Sequence, residues 1–533
     1  MKSILYFITV CFACFLVSCS NKTKKKNVVR DTSIVAKNSV NDIFLDSIQL
    51  LNFTKNNASF NSFSQQYEDF YQSRNYQYAW FNDSGITQQA NSFISLLQTT
   101  VSDLQDSSFF SKPFLQSQDS VFNTNQKLTK EATLQAELIL TGQFFVFASK
   151  AYKGSDINAA ELGWFIPRKK LNLQEILASS LKNDSAATTQ FLAGNSGYKK
   201  MQTAIAFYHH LAKNNLWDSI PYPKKPYKVG DSTLSIISIK EKLKLLGDAT
   251  INNGTALFDS TLSIAVKLFQ QRMGLTADGV IGKKCIDELN IKPAKRIQQL
   301  LINLERVRWM PTIKSSNYIV VNIPEYKMHV YDSGKQQFEM DVIVGTATHN
   351  TVVFSGNLQY IVFSPFWNVP SSIVKSEIMS AIKRNSNYIK NHNMEITGYE
   401  NGIPSIRQKP GINNSLGLVK FLFPNSHNIY LHDTPNKDLF TENSRNFSHG
   451  CIRLAQPKHF AQYLLRNDTA TIWKNHVIDS CMNLKKEKWV TLKKTVPVLL
   501  VYFTAWVDSN NAIHFRKDIY KHDEKLAAKL FVQ

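Results

Sequence analysis

A chain of 533 residues, at about 150 residues per domain, holds about three or four domains and has ample length for a buried core, which excludes a peptide or a lone binding module. With 43% apolar and 12% aromatic residues, and only 20 glycines and 16 prolines, it is not disordered, collagen-like or low in complexity. The net charge of +21 favours polyanionic surroundings such as nucleic acid, a membrane surface or a cell-wall polymer. The lysines are spread along the chain and form no basic helix or arm, so nucleic acid is not an expected partner.

The amino terminus speaks to location. Lys2 precedes an apolar run over residues 4–17, which closes in Leu16-Val17-Ser18-Cys19 and gives way to Ser20-Asn21-Lys22-Thr23-Lys24-Lys25-Lys26. At about 14 residues the run is too short for a spanning helix, which needs roughly 20, and right for a signal peptide. A small residue before a cysteine at the end of such a run resembles the bacterial lipoprotein lipobox, which implies cleavage after residue 18 and lipidation of Cys19. Residues 20–40, rich in Lys, Asn, Ser and Thr, read as a tether. The acidic cluster that resembles a surface-export signal in some lipoproteins does not follow Cys19. The expected location is therefore the periplasmic face of the envelope, lipid-anchored at the outer membrane.

Of the six cysteines, Cys11 and Cys14 leave with the leader and Cys19 takes lipid. Cys285, Cys451 and Cys481 remain, an odd number in an oxidising compartment and spaced too widely for a disulfide framework or a zinc ribbon. At least one thiol stays free, and an exported protein that keeps one needs a reason for it.

Residues 41–227 carry helical apolar periodicity and little strand pattern. The longest stretch, over 125–152, interleaves Leu134, Leu138, Phe144, Phe145 and Phe147 with small and polar residues; shorter amphipathic pieces run over 88–104 and 198–217. No catalytic constellation is visible here, and Tyr71, Trp80 and Trp164 read as core. This part is expected to be a helical scaffold.

A second unit spans 228–291. Ile239, Leu243, Leu245 and Leu246 share one helical segment; Phe269 lies one turn from Ala265 and Val266 on another, and Asp278-Gly279 is a turn before a short last helix. Phe269-Gln270, Gly274-Leu275, Asp278-Gly279 and Gly282 resemble the pattern of the three-helix peptidoglycan-binding-like domain. A small helical module without a ligand groove is the competing reading, because the pattern is made mainly of core and turn residues.

Residues 292–312 read as a further scaffold helix and linker, with Ile297, Leu300, Leu301, Leu304 and Val307 at helical spacing. The period then changes to that of strands, over 318–322, 326–331, 338–344, 358–363 and 428–431, with Asp332-Ser333-Gly334 as a hairpin turn. A helical insertion is expected near 372–392, and a closing hairpin from 497–507 to 512–515.

The chemistry sits in Ser448-His449-Gly450-Cys451-Ile452-Arg453-Leu454. A thiol becomes a good nucleophile when an imidazole or a backbone dipole favours the thiolate, and acyl transfer also needs donors for the oxyanion. Gly450 lets the backbone approach a substrate, and His449 and His432 are the nearby bases. Cys451, His432, His449 and Asp433 are equally permitted zinc ligands, so spacing alone leaves nucleophile, metal site and inert buried cysteine open.

Tyr430-Leu431-His432-Asp433-Thr434-Pro435, followed after a gap by Ser448-His449-Gly450-Cys451-Ile452-Arg453-Leu454, resembles the signature of the L,D-transpeptidases of the YkuD type. Asn303-Leu304-Glu305-Arg306, Phe366-Trp367-Asn368-Val369-Pro370, Pro410-Gly411, Asn414-Ser415-Leu416-Gly417, Phe423-Pro424-Asn425 and Thr504-Ala505-Trp506-Val507 resemble the larger, YcbB-like periplasmic subclass. The resemblance implies an α+β multidomain protein: helical scaffold over 41–227, peptidoglycan-binding-like module over 228–291, β-rich catalytic domain over 313–481, and C-terminal strands and tail over 482–533.

It makes Cys451 the nucleophile, His432 its base and Asp433, by carbonyl or side chain, the orienter, with N–H groups of Gly450 and Cys451 for the oxyanion. His449 shapes or polarises the site. Arg453 receives a substrate carboxylate or braces the loop; Tyr430, Ser448 and Trp367 line the substrate, with packing as the other role for Trp367. Where relatives have a Thr-Pro turn, this chain has Asn350-Thr351-Val352, which puts that loop's shape in doubt.

The implied reaction is acyl transfer through a thioester that yields 3-3 crosslinks between peptidoglycan stems. It needs no cofactor and no metal, and its thiol is a target for carbapenem β-lactams. The alternatives are release of the same acyl-enzyme to water, as in an L,D-carboxypeptidase, attachment of a protein to the wall, or a non-catalytic wall-binding lipoprotein. The expected partners are stem peptides and glycan, and the membrane through the anchor at Cys19.

Overall fold

The computed structural model describes residues 43–122, 127–168, 170–181, 196–214, 217–249, 254–468 and 473–531. The leader, the lipidation of Cys19 and the tether lie outside the described residues. The described residues of Met1–Ile94, Phe110–Val146 and Asn172–Ala187 form one compact unit, and those of Ser95–Phe109, Phe147–Leu171 and Thr188–Gln533 another. The stretch expected as one scaffold over 41–227 is thus divided between them.

In the first unit the helices Ser47–Asn56, Ser64–Ser73 and Leu173–Leu181 surround a core of aromatic rings, beside a two-stranded pair, β1 (Phe81–Asn82) and β2 (Gly85–Ile86). The first helix starts at a capping box: Asp46 accepts from the Gln49 N–H at 2.7 Å and the Gln49 side chain accepts from the Asp46 N–H at 3.0 Å. Phe60, Tyr67, Tyr71, Trp80 and Phe145 are buried, so the aromatics without catalytic partners are core, as their pattern predicts. Among them sits one carboxylate. Glu137 accepts from the Ala79 and Trp80 N–H groups at 2.6 and 2.9 Å and from the Tyr71 hydroxyl at 2.9 Å, while burial pushes its pKa up to about 7. Glu137→Ala strips the Ala79 and Trp80 N–H groups of their acceptor, leaves the Tyr71 hydroxyl only Thr141, and is expected to lower the unfolding free energy by about 3 kcal/mol, read from urea denaturation.

In the second unit the helices Leu234–Leu245, Ser260–Arg272 and Lys283–Leu289 pack around Ile239, Leu243, Val266, Phe269 and Ile286. Gln270 explains its own place in the motif: its side-chain N–H groups donate to Asp278 Oδ1 at 2.8 Å and the Val280 carbonyl at 2.9 Å, and its Oε1 accepts from the Gly279 N–H at 2.8 Å. The helix Pro293–Trp309 follows and buries Asn303, Glu305 and Arg306. Asn303 Nδ2 donates to Thr504 Oγ1 at 2.7 Å, Arg306 pairs with Asp523 at 2.5 Å, and Glu305 accepts from the Trp309 ring at 2.8 Å. The contacts to Thr504 and Asp523 tie the helix to the segment that closes the chain.

The β-rich part is a nine-stranded sheet of β3 (Tyr318–Asn322), β4 (Lys327–Asp332), β5 (Lys335–Gly345), β6 (Ser355–Phe363), β10 (Val419–Leu422), β11 (Leu431–His432), β12 (Asn446–Ser448), β13 (Ile452–Leu454) and β14 (Lys488–Val501). Its order is β12-β5-β13-β11-β10-β6-β14-β3-β4, and β4 pairs back onto β5, so the sheet closes on itself. Between β6 and β10 a small sheet of β7 (Trp367–Asn368), β8 (Met394–Glu400) and β9 (Ile403–Gln408) accompanies the expected helical insertion. Asn414 holds its neck, donating to the carbonyls of Pro365 at 3.1 Å and Lys409 at 2.9 Å.

Two strand expectations are corrected. The strand placed at 428–431 is Leu431–His432, because Asn428 adopts positive φ. Residues 497–501 belong to β14, which pairs with β6 and β3, and the closing hairpin is only β15 (Ala505–Val507) with β16 (Ile513–Phe515). A domain boundary at 481 therefore cuts through the sheet. No described helix is long and apolar enough to cross a membrane.

Candidate active site

β11 and β13 run parallel, with Leu431 opposite Ile452 and His432 opposite Arg453. Leu431 and Ile452 are fully buried in the core. Side chains alternate between the faces of a strand, so Tyr430, His432, Cys451 and Arg453 share the opposite face, where the Tyr430 and His432 rings lie 5.6 Å apart. The backbone before the thiol is fixed from both sides. Gly450 holds φ at +109°, a value that disfavours a side chain. Thr351 Oγ1 donates to the Gly450 carbonyl at 2.8 Å and accepts from the Gly345 N–H at 2.9 Å, and the Tyr520 hydroxyl donates to the Gly345 carbonyl at 2.6 Å. Thr351 thus braces this loop in place of the Thr-Pro turn.

His432 is buried, and its Nδ1 lies 2.5 Å from the Asp433 carbonyl oxygen. A carbonyl only accepts, so in the neutral ring Nδ1 carries the proton and Nε2 the lone pair, and the Leu416 backbone is a further hydrogen-bond partner of the ring. Burial, reinforced by the Arg453 cation, pushes the His432 pKa down to about 3. Burial also pushes the Cys451 thiol up, against the opposing pull of the Tyr430 N–H and hydroxyl and of Arg453. At neutral pH the pair rests as thiol and neutral imidazole rather than as an ion pair. The thiol is half-buried, and its S–H donates to the Asn428 carbonyl at 3.7 Å. Cys285 and Cys481 are also free but buried.

Other expected site residues are placed elsewhere or are already engaged. The Asp433 carboxylate accepts from the Leu418 and Thr434 N–H groups at 2.8 and 2.7 Å and pairs with Lys437 at 2.6 Å, so only its carbonyl meets the imidazole. Ser448 is buried, with its hydroxyl donating to the Cys451 carbonyl at 2.5 Å and accepting from the Gly450 N–H at 3.1 Å. That contact corrects two expectations: Ser448 is committed to the loop, and the Gly450 N–H is not free for an oxyanion. His449 turns outward to Glu377 Oε1 at 3.0 Å, and Trp367 packs against the small cluster of Val369, Val374, Ile378, Met394 and Ile406. Arg453 has no carboxylate partner among the described residues, and its Nε is buried without an acceptor. No three His, Cys, Asp or Glu side chains among the described residues converge as a metal site.

Thr351, Tyr520, Asn428 and Glu377 were not singled out from the sequence; only Thr351 carried a signal, as a departure from the motif. Gly417 closes the Asn414-Ser415-Leu416-Gly417 motif. It has φ at +62°, and a Cβ there would stand 2.4 Å from Asp433 Cγ. Gly417→Ala is therefore expected to displace Asp433 and with it the carbonyl that holds His432, lowering turnover at least about tenfold in a steady-state assay.

Residues 316–472 match the family described as "L,D-transpeptidase catalytic domain", residues 65–205 the "Scaffold domain", and residues 233–289 the "Putative peptidoglycan binding domain". The chain carries a YkuD-type L,D-transpeptidase catalytic domain together with a peptidoglycan-binding domain. It is similar to a "Putative L,D-transpeptidase" of Haemophilus influenzae, 33% identical over 252 residues, which covers 44% of this chain and 50% of that protein. The chain thus spans about half the length of the curated relative it matches. Among solved structures, an L,D-transpeptidase from Stackebrandtia nassauensis is 15% identical, covering 52% of this chain and 94% of that one at a TM-score of 0.22. One from Xylanimonas cellulosilytica is 14% identical, covering 53% and 100% at a TM-score of 0.18. At these scores the superpositions carry no weight.

Proposed function

We propose that this chain is a cysteine-dependent L,D-transpeptidase that forms 3-3 crosslinks between peptidoglycan stem peptides. The observation that carries the reading is the shared face of β11 and β13, which holds Cys451, level with Tyr430, and His432, level with Arg453, while the Asp433 carbonyl fixes the imidazole tautomer with its proton on Nδ1. Cys451 Sγ attacks the carbonyl of the third residue of a tetrapeptide stem as His432 Nε2 takes the thiol proton. The C–N bond to the terminal D-Ala then breaks, and the imidazolium returns the proton to the leaving amine. An amine of a second stem attacks the thioester, gives its proton to His432 and forms the crosslink, and the thiol is restored. The Cys451 N–H is assigned to the oxyanion, because that of Gly450 is engaged by Ser448. Arg453, a half-buried cation without a carboxylate partner among the described residues, is assigned to a carboxylate of the substrate.

A strained β-lactam carbonyl offers the same acyl chemistry, so carbapenems are proposed inhibitors. The lipobox-like Ser18-Cys19 supports a lipid-anchored, periplasm-facing placement. The test is mass spectrometry of the protein and its products after incubation with disaccharide-tetrapeptide. A Cys451 adduct with a dimer lacking one D-Ala supports the reading. An adduct with only trimmed monomer replaces it by carboxypeptidase action, and neither adduct nor product favours a wall-binding role.

A further inference from the structure

The face that holds Cys451 and His432 continues across the sheet. The registers of β13 with β11, β11 with β10, β10 with β6 and β6 with β14 set one row of residues side by side: Arg453, His432, Lys420, Val362 and Trp489. The next row on that face lies two residues along each strand, where Tyr360 pairs with Leu422 and Thr491. Continuing the β10 and β11 register by one residue sets Leu422 beside Tyr430, level with Cys451.

The far end of this face is an aromatic platform. Trp489 is 54% exposed, yet it is held by its neighbours. The Tyr360 ring packs against it at 5.9 Å, Lys420 Nζ stands 5.8 Å from its ring, and its Nε1 donates to Glu487 at 3.1 Å. Lys485, Lys486 and Lys488 are exposed beside it. A fixed, exposed indole is a preformed flat apolar surface. With one tyrosine it offers the area of one or two rings, far below the roughly 800 Å² per partner of a stable protein interface.

The spacing identifies what fits. Neighbouring strands lie about 4.8 Å apart, so Tyr360 on β6 is about three spacings, or ~14 Å, from Cys451 on β13, and Trp489 on β14 is about four. Three extended residues span about 10–11 Å, and the lactyl group that joins a stem to its amino sugar adds about 3–4 Å. With the third-residue carbonyl at Cys451, the sugar ring falls on Tyr360 and the near edge of Trp489.

We propose that Tyr360 and Trp489 form a sugar subsite, on which the amino-sugar ring that carries the donor stem stacks its C–H bonds. The inference rests on the donor-stem reading of Cys451 given above. Lys420, whose strand lies between the reacting pair and Trp489, stands against the indole from that side.

The test compares kcat/KM for disaccharide-tetrapeptide and for sugar-free tetrapeptide as donors, in the full chain, its Trp489→Ala variant and its Trp489→Phe variant. The wild type is expected to prefer the sugar-bearing donor by about tenfold, the size of one aromatic stacking contact. Trp489→Ala is expected to bring that ratio close to one, mainly through KM, and Trp489→Phe to recover most of it. The ratio is internal to each preparation, so partial unfolding does not imitate the effect. An unchanged ratio in Trp489→Ala overturns the subsite, as does a preference that follows sugar on the acceptor. If the wild type consumes neither donor and forms no Cys451 adduct, the donor-stem reading fails and the subsite falls with it.

Discussion

Cys451→Ala is expected to lower crosslink formation by at least about 10⁴-fold, the scale on which removal of a covalent nucleophile is felt, while the unfolding midpoint shifts little. The two halves of that expectation have separate causes. No other described residue can take over the thioester, because Cys285 and Cys481 are buried. The thiol itself is half-buried, and its contact to the Asn428 carbonyl at 3.7 Å is weak, so little packing is lost with it. Cys451→Ser keeps the shape but not the nucleophile and is expected to be nearly as inactive. Intact-mass measurement with a carbapenem gives an independent check: one drug mass on the wild type and none on Cys451→Ala. Acylation of Cys451→Ala would show that another group is the nucleophile.

The motif Ser448 to Leu454 pointed to the thiol, and the strand periodicity around it pointed to a β-rich domain, because both signals are local in sequence. What stayed hidden depends on how the loop closes on itself, on side chains brought together from far along the chain, and on pairing between distant strands. Nothing in Ser448-His449-Gly450 tells that the Ser448 hydroxyl closes onto the Gly450 N–H, or that His449 turns toward Glu377 on an insertion far upstream in the chain. The strand at 488–501 reads locally as the start of a tail. Only its pairing with β6 and β3 shows that the sheet needs it. The same pairing places Trp489 on the face of His432. The aromatic half of the scaffold was legible as core for the opposite reason. Tyr71 and Trp80 stand in stretches with helical or buried patterns and without nucleophile or base, and burial is the ordinary fate of such rings.

His432→Ala is expected to lower kcat/KM by about 10²–10⁴-fold near neutral pH, the usual share of a general base, and the loss is expected to shrink as pH rises. In the wild type the thiol is pushed up by burial and the imidazole down to about 3. Above about pH 4 His432 is therefore neutral and ready to take the proton at the moment of attack, and kcat/KM carries no acid limb near 6.5, the ordinary histidine value. Without His432 only the pre-formed thiolate reacts, so log kcat/KM of the variant rises with pH toward the thiol's raised pKa and approaches the wild type. The same burial has a consequence for folding. A histidine whose folded pKa lies below its unfolded value stabilises the fold fully above about 6.5, and that contribution is lost as pH falls from about 6.5 toward 3. The variant lacks this proton uptake, so its unfolding free energy is expected to depend less steeply on pH across that window. An acid limb near 6.5 in the wild type that vanishes in His432→Ala would mean that the imidazole is not desolvated as described. A variant equal to the wild type at neutral pH would remove His432 from the proton transfer and leave His449, on the exposed side next to Glu377, as the remaining base.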